Sequence, residues 1–252
     1  MPADKQAILS KVPEVTLYFW IIKILATTLG ETGGDAVSMS MNLGYLVSTG
    51  LFSVIFVVAV IAQISAKKFH PVLYWTTIIA TTTVGTTLAD FADRSLGIGY
   101  AGGTTMLFAL LMASLLTWYR ALGSIAVDSV STAKSEVFYW VTIMFSQTLG
   151  TALGDWTADS AGLGYSGAAL VFSTMLAILA AAYFRTTISR TTLFWAAFIL
   201  TRPLGAVVGD FLDKPIGQGG LELSRYSASA ALLLLISSCI LIFSQKPARQ
   251  GH

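Results

Sequence analysis

The chain has 252 residues, of which 55% are hydrophobic and only 11% are charged. A soluble domain carries about 25% charged residues, so this chain has too few to cover a water-facing surface. Its net charge of +2 includes no basic block for nucleic acid, and its single cysteine, Cys239, allows no disulfide framework; its two histidines, His70 and His252, have no neighbouring ligand residue.

In chain order the sequence reads as four helix-loop-helix units, at about 14–68, 69–134, 135–190 and 191–245. The first helix of each is expected over 15–36, 72–91, 137–156 and 192–211. The second helices are charge-free runs: Leu46 to Ala66, Ala101 to Tyr119, Ser166 to Phe184 and Tyr226 to Ser244. Each run is close to the roughly 20 residues that cross a bilayer as a helix. Lys23, Glu31 and Asp35 interrupt the first apolar segment, so no cleavable signal is expected.

The units are copies of one pattern, Gly-x-x-x-small-Asp. It occurs as Gly30 to Asp35, Gly85 to Asp90, Gly150 to Asp155 and Gly205 to Asp210, with Trp20, Trp75, Trp140 or Trp195 ten residues before each opening glycine. A Gly-Tyr pair follows in the first three copies (Tyr45, Tyr100, Tyr165), whereas the fourth has an insertion through Arg225. The opening glycines are 55, 65 and 55 residues apart (30 to 85, 85 to 150, 150 to 205), a rhythm that suggests two pairs from an internal duplication. The fold expected is all-α, with eight transmembrane helices in four parallel repeats in a single domain.

Ten of the fifteen Lys and Arg lie at the termini or in the joins between repeats: Lys5, Lys11, Lys67, Lys68, Arg120, Lys134, Arg185, Arg190, Lys246 and Arg249. The positive-inside rule then puts both termini in the cytoplasm and the aspartate loops outside, in a cell (inner) membrane. The tryptophans read as interfacial anchors on the cytoplasmic side.

On a helix of 3.6 residues per turn, positions four apart share a face. One stripe is small: Ala26, Gly30, Gly34; Thr81, Gly85, Ala89; Ser146, Gly150, Gly154; Thr201, Gly205, Gly209. Such stripes let helix backbones approach closely in lipid. The adjacent stripe is polar: Thr27, Glu31, Asp35, extended back to Lys23; Thr82, Thr86, Asp90; Gln147, Thr151, Asp155; Arg202, Ala206, Asp210. Close packing of the four first helices would turn this stripe toward a common axis or a neighbouring crevice, with Lys23 and Arg202 as counter-charges for Glu31 and the aspartates. Two readings of the aspartates stay open: outer-end residues that cap a helix or meet water, or ligands for a transported ion. Asp93, Asp159 and Asp213 read as solvated loop charges or an entry funnel, and Met39 and Met41 as loop fillers or soft-metal ligands.

The fourfold Trp, Gly-x-x-x-small-Asp and Gly-Tyr pattern resembles a family of bacterial multi-pass proteins labelled membrane-anchored, built from four copies of a short repeat of unassigned function. The resemblance spans about Glu14 to Ser244 and implies an integral bacterial membrane protein, without bringing an activity.

No nucleophile-base pair, histidine cluster or phosphate loop marks an enzyme. Ionisable residues at membrane depth in quasi-symmetric repeats favour transport. Carboxylates, hydroxyls and one amide suit hard cations (Mg²⁺, Mn²⁺, Ca²⁺, Na⁺) or protons. The expected ion ligands are Glu31, Asp35, Asp90, Asp155 and Asp210, with Thr27, Thr86, Thr151, Gln147, Lys23 and Arg202 completing the site; a divalent cation is the one bound cofactor considered. The alternatives are a small organic solute held through Arg202, or a non-transport anchor or sensor. Lipid is the expected environment, nucleic acid is not a partner, and a homodimer is allowed.

Overall fold

The computed structural model describes residues 10–248, so Lys5, Arg249 and His252 lie outside the described residues. Those residues form eight α-helices: α1 Leu17–Asp35, α2 Gly44–Ser65, α3 Pro71–Asp90, α4 Tyr100–Leu122, α5 Ala133–Asp155, α6 Gly164–Arg185, α7 Arg190–Asp213 and α8 Arg225–Ile242. Five of them (α2, α4, α6, α7 and α8) are long and apolar enough to cross a membrane.

Local signals set the helix starts. Thr16 caps α1 by accepting from Phe19 N–H, His70 caps α3 ahead of Pro71, and Thr132 and Ser135 form a reciprocal capping box on α5. The expected loop after each aspartate begins instead as a π-helical turn in the first three copies, Ala36–Ser40, Phe91–Ser95 and Trp156–Ser160. The chain then passes through Gly44, Gly99 and Gly164 at φ of 74°, 75° and 64° to launch the outer helix. Glycine takes that left-handed conformation without the penalty a Cβ brings, which explains the Gly of each Gly-Tyr pair. The fourth copy has no such pair; α7 continues to Asp213 and the chain turns within its insertion.

The odd-numbered helices form a closed ring in which α1 packs on α3, α3 on α5, α5 on α7, and α7 back on α1. Each even-numbered helix lies outside, against the first helix of the following repeat: α2 on α3, α4 on α5, α6 on α7 and α8 on α1. The spatial unit is thus offset by one helix from the sequence repeat, and α8 closes the circle. The outer helices carry the exposed apolar surface, with Val54, Phe184 and Leu234 among its most exposed side chains.

The glycines make the ring possible. A Cβ on Gly30 would overlap Thr82 of α3, one on Gly150 would overlap Arg202 of α7, and one on Gly205 would overlap Thr27 of α1, while one on Gly85 would meet Gln147 of α5 at 3.0 Å. A turn later Gly34 faces Thr86, Gly154 faces Ala206 and Gly209 faces Glu31. The small stripe of each helix therefore receives the polar stripe of the next.

At the end of the ring nearest the termini the axis is filled by aromatics. Tyr74 and Tyr139 hydroxyls meet at 2.6 Å, and Trp75, Trp140 and Trp195 are buried. This corrects the reading of the tryptophans as interfacial anchors; only Trp20 is half-exposed. Two of their ring nitrogens find partners in the segments that cap this end: Trp75 Nε1 donates to Gln245 and Trp195 Nε1 to the Ile125 carbonyl. Those segments are joined by Lys11 N–H to Val130 O, Glu14 N–H to Lys246 O and Ala248 N–H to Val12 O.

Substitution at the tightest contact tests the ring. Gly205→Val should destabilise the protein by about 1–3 kcal/mol through overpacking against Thr27. Gly50→Ala, at an exposed position in α2 with no atom near its missing Cβ, should be neutral or stabilising. Thermal unfolding of the detergent-solubilised variants reads both.

Candidate functional site

The polar stripe of all four ring helices faces the axis, as Arg202 shows. Its guanidinium leaves α7 and its Nη2 lies 3.0 Å from Glu31 Oε2 on α1, 2.5 Å from Thr86 Oγ1 on α3 and 2.5 Å from Thr151 Oγ1 on α5. One side chain thus touches the three other helices of the ring. The fourth copy has Ala206 at the level where the others have Glu31, Thr86 and Thr151, one helical turn beyond Arg202. Arg202 and Glu31 are 0% and 3% exposed.

One turn farther from the termini lie the four aspartates. All are buried, which removes their reading as solvated end residues. They are bridged in adjacent pairs. Arg94 holds Asp90 at 2.9 Å and Asp155 at 3.3 Å; Lys214 holds Asp35 at 2.5 Å and Asp210 at 3.0 Å. Oxygens of Glu31, Asp35 and Asp90 lie within 4.8 Å of one another, as do those of Asp35, Asp210 and Asp213. The repeated acidic side chains therefore share one interior space in which each is paired.

Arg94 and Lys214 are the site residues that sequence reading missed. Each lies four residues after its aspartate, on the same helix face. The odd copies carry Met39 and Asp159 at that position, so the cations recur only in the even copies. Burial disfavours the Lys214 ammonium, but the carboxylates of Asp210, Asp35 and Asp213 outweigh it and raise its pKa, so the bridge stays charged.

Other expectations change as well. Lys23 is not a counter-charge for Glu31 or the aspartates; its Nζ lies over the Phe198 ring at 4.2 Å and has no hydrogen-bond partner among the described residues. Thr27 does not reach the carboxylates, because its hydroxyl donates to the Ile24 and Thr201 carbonyls and ties α1 to α7. Gln147 is buried a turn short of the acidic layer without a partner. Asp213 is buried and held by Arg225 at 3.0 Å, and Asp93 is buried against Gly103, whereas Asp159 is exposed. Glu31, Asp35 and Asp90, with the Thr86 hydroxyl 3.3 Å from Glu31 Oε2, are the group best arranged to hold a cation.

Above the aspartate layer opens a cavity of about 520 Å³ lined by Met39, Arg94, Tyr100, Asp159, Tyr165, Lys214 and Arg225, among others. The Tyr of two Gly-Tyr pairs thus flank the mouth, and the third, Tyr45, accepts from Arg94 at 3.4 Å. Met41 is exposed and takes no part.

The chain is thus a four-repeat helical ring around a buried axis of ion pairs. The family described as Repeat of Unknown Function (DUF347) matches the chain four times, at residues 18–69, 73–123, 138–189 and 193–246, and the chain belongs to it. Neither the curated proteins nor the solved structures give a significant match.

The ion pair at the axis makes a sharp expectation. Arg202→Met should lower stability by about 3–5 kcal/mol, because it leaves the Glu31 carboxylate buried and unpaired. Arg120→Gln, at an exposed position with no ion pair among the described residues, should cost under about 1 kcal/mol. Unfolding in mixed micelles by SDS titration separates the two.

Proposed function

We propose that the protein is a membrane transporter that crosses the bilayer eight times and moves a hard cation through the aspartate ring. The observation that carries this reading is the convergence of Glu31, Asp35, Asp90, Asp155 and Asp210 on one buried axial space. With Asp213, six carboxylates meet four basic side chains there, Arg202, Arg94, Lys214 and Arg225, so acidic groups outnumber basic ones and the layer offers oxygen ligands.

The ring supports eight spans. Of its helices α7 is long and apolar enough to cross, and α1, α3 and α5 stand beside it at similar length with their polar groups turned inward. Mean hydropathy undervalues those three because their axial side chains never meet lipid. Orientation rests on charge. Lys67, Lys68, Arg120, Lys134, Arg185, Arg190 and Lys246 are exposed at the end bearing the termini, which favours a cytoplasmic position for that end. The aspartate layer and its mouth then face the outside of a bacterial inner membrane.

Arg94 and Lys214 act in this reading as tethered cations. They reach the ring from the mouth and offset part of its charge when no ion is bound. An entering cation displaces them toward the cavity, where Asp159 and the tyrosine hydroxyls receive them. The aromatic layer and the capping segments form the closed inner gate, so the arrangement described here is the outward-facing one.

Flux into proteoliposomes tests the proposal. Asp90→Asn and Asp155→Asn should each reduce uptake across a panel of Mn²⁺, Mg²⁺, Ca²⁺ and Na⁺ by about tenfold or more for the transported ion. Lys214→Gln should instead tighten apparent affinity by removing a competitor. Unchanged uptake in variants that remain folded defeats the proposal. A second reading, carriage of a small organic solute, is favoured by the volume of the mouth, which lies in the range of small-molecule sites; competition by organic amines or acids but not by metal ions would select it.

A further inference from the structure

Below the acidic layer, toward the termini, each ring helix buries a polar side chain with no partner among the described residues for part or all of its polar atoms. They are Lys23 from α1, Thr82 from α3, Gln147 from α5 and Arg202 from α7. Lys23 Nζ, Thr82 Oγ1, both Gln147 side-chain atoms, and Arg202 Nε and Nη1 are all buried and unbonded. Each of the four residues is 0% exposed. Thr82, Gln147 and Arg202 occupy one level of the ring, as the glycine contacts to each establish, and Lys23 lies one turn below Thr27 at that level.

The chemistry of this layer is opposite to that of the aspartate ring. Its free groups are mainly donors: the Lys23 amine, the Arg202 guanidinium, the Gln147 amide nitrogen and the Thr82 hydroxyl. Only one carboxylate, Glu31, touches either basic side chain, and it is bonded to the far side of the guanidinium through Nη2. Lys23 has an aromatic face as its nearest compensation. Buried polar groups normally find partners, and a buried charge without one is more costly still. Four helices placing such groups in one ring is the arrangement of a site with its ligand unnamed.

We infer that this layer binds a small monovalent anion, a halide or the carboxylate of a short acid, held by Lys23 and Arg202 with the Gln147 amide and Thr82 hydroxyl completing its shell. The anion supplies the negative charge that the inner half of the axis lacks. This goes beyond the cation reading and shares with it only Arg202, whose Nη2 pairs with Glu31.

The test uses the full-length protein in nanodiscs and follows thermal unfolding at constant sodium concentration as chloride or acetate replaces gluconate, which is too large for the layer. Chloride or acetate should raise the melting temperature saturably. Chloride alone identifies a halide site and acetate alone a carboxylate site. Lys23→Met keeps the apolar stem over Phe198 and should weaken the apparent anion affinity by about tenfold or more, as expected for losing one charge-assisted hydrogen bond. Gln147→Leu should weaken it in the same direction and carries the test if Lys23→Met does not fold. The inference is overturned if the wild-type protein does not distinguish the anions, if the effect never saturates, or if both variants respond as the wild type does.

Discussion

Everything in this structure depends on the contact between the small stripe of one ring helix and the polar stripe of the next. In lipid there is no hydrophobic gain from bringing helices together, so packing and hydrogen bonding have to do it. Glycine at 30, 85, 150 and 205 removes the one atom that would hold neighbouring backbones apart. Because each helix offers its small stripe to a different neighbour, the contact is head to tail, and four copies close it into a ring. Once the ring is closed, the polar stripes have nowhere to go but the axis.

The axis then imposes its own demand. A charged side chain in a bilayer costs roughly 3 kcal/mol on insertion scales, and here the carboxylates and basic groups lie together in one core. The backbone repeats four times, but the charges do not. Glu31 and Arg202 each occur in a single copy and meet each other across the α1–α7 contact that closes the ring. Arg94 and Lys214 occur in alternate copies and bridge adjacent aspartates two by two. A fourfold scaffold carrying a twofold charge pattern agrees with the 55, 65 and 55 residue rhythm of the repeats.

Much of this was legible in the chain. The helix-loop-helix units and the small and polar stripes follow from spacing alone, because a four-residue step on a helix is a statement about direction, whereas the same spacing leaves open whether the aspartates meet one another or meet water. The pairing of Arg202 with Glu31 was legible too, since no other basic residue lies at that depth except Lys23. What spacing does not give is reach. Arg94 and Lys214 sit beyond the last apolar residue and read as loop charges until the turn folds them back over the aspartates. The fate of Lys23 depended on Phe198 of another helix. The tryptophans were misread because their neighbours come from the join at Ile125 and from Gln245, segments without any periodic signal.

The first and last repeats bring their charges into one shared interior. Asp35 and Lys214 are 179 residues apart in sequence and meet only if the ring closes. A double-mutant cycle on unfolding free energy, with Asp35→Asn, Lys214→Gln and the two combined, measures that meeting directly. The account requires a coupling energy above about 1 kcal/mol. Effects that add to within about 0.5 kcal/mol would mean that the two groups do not share a site, and the common axis would be lost with them.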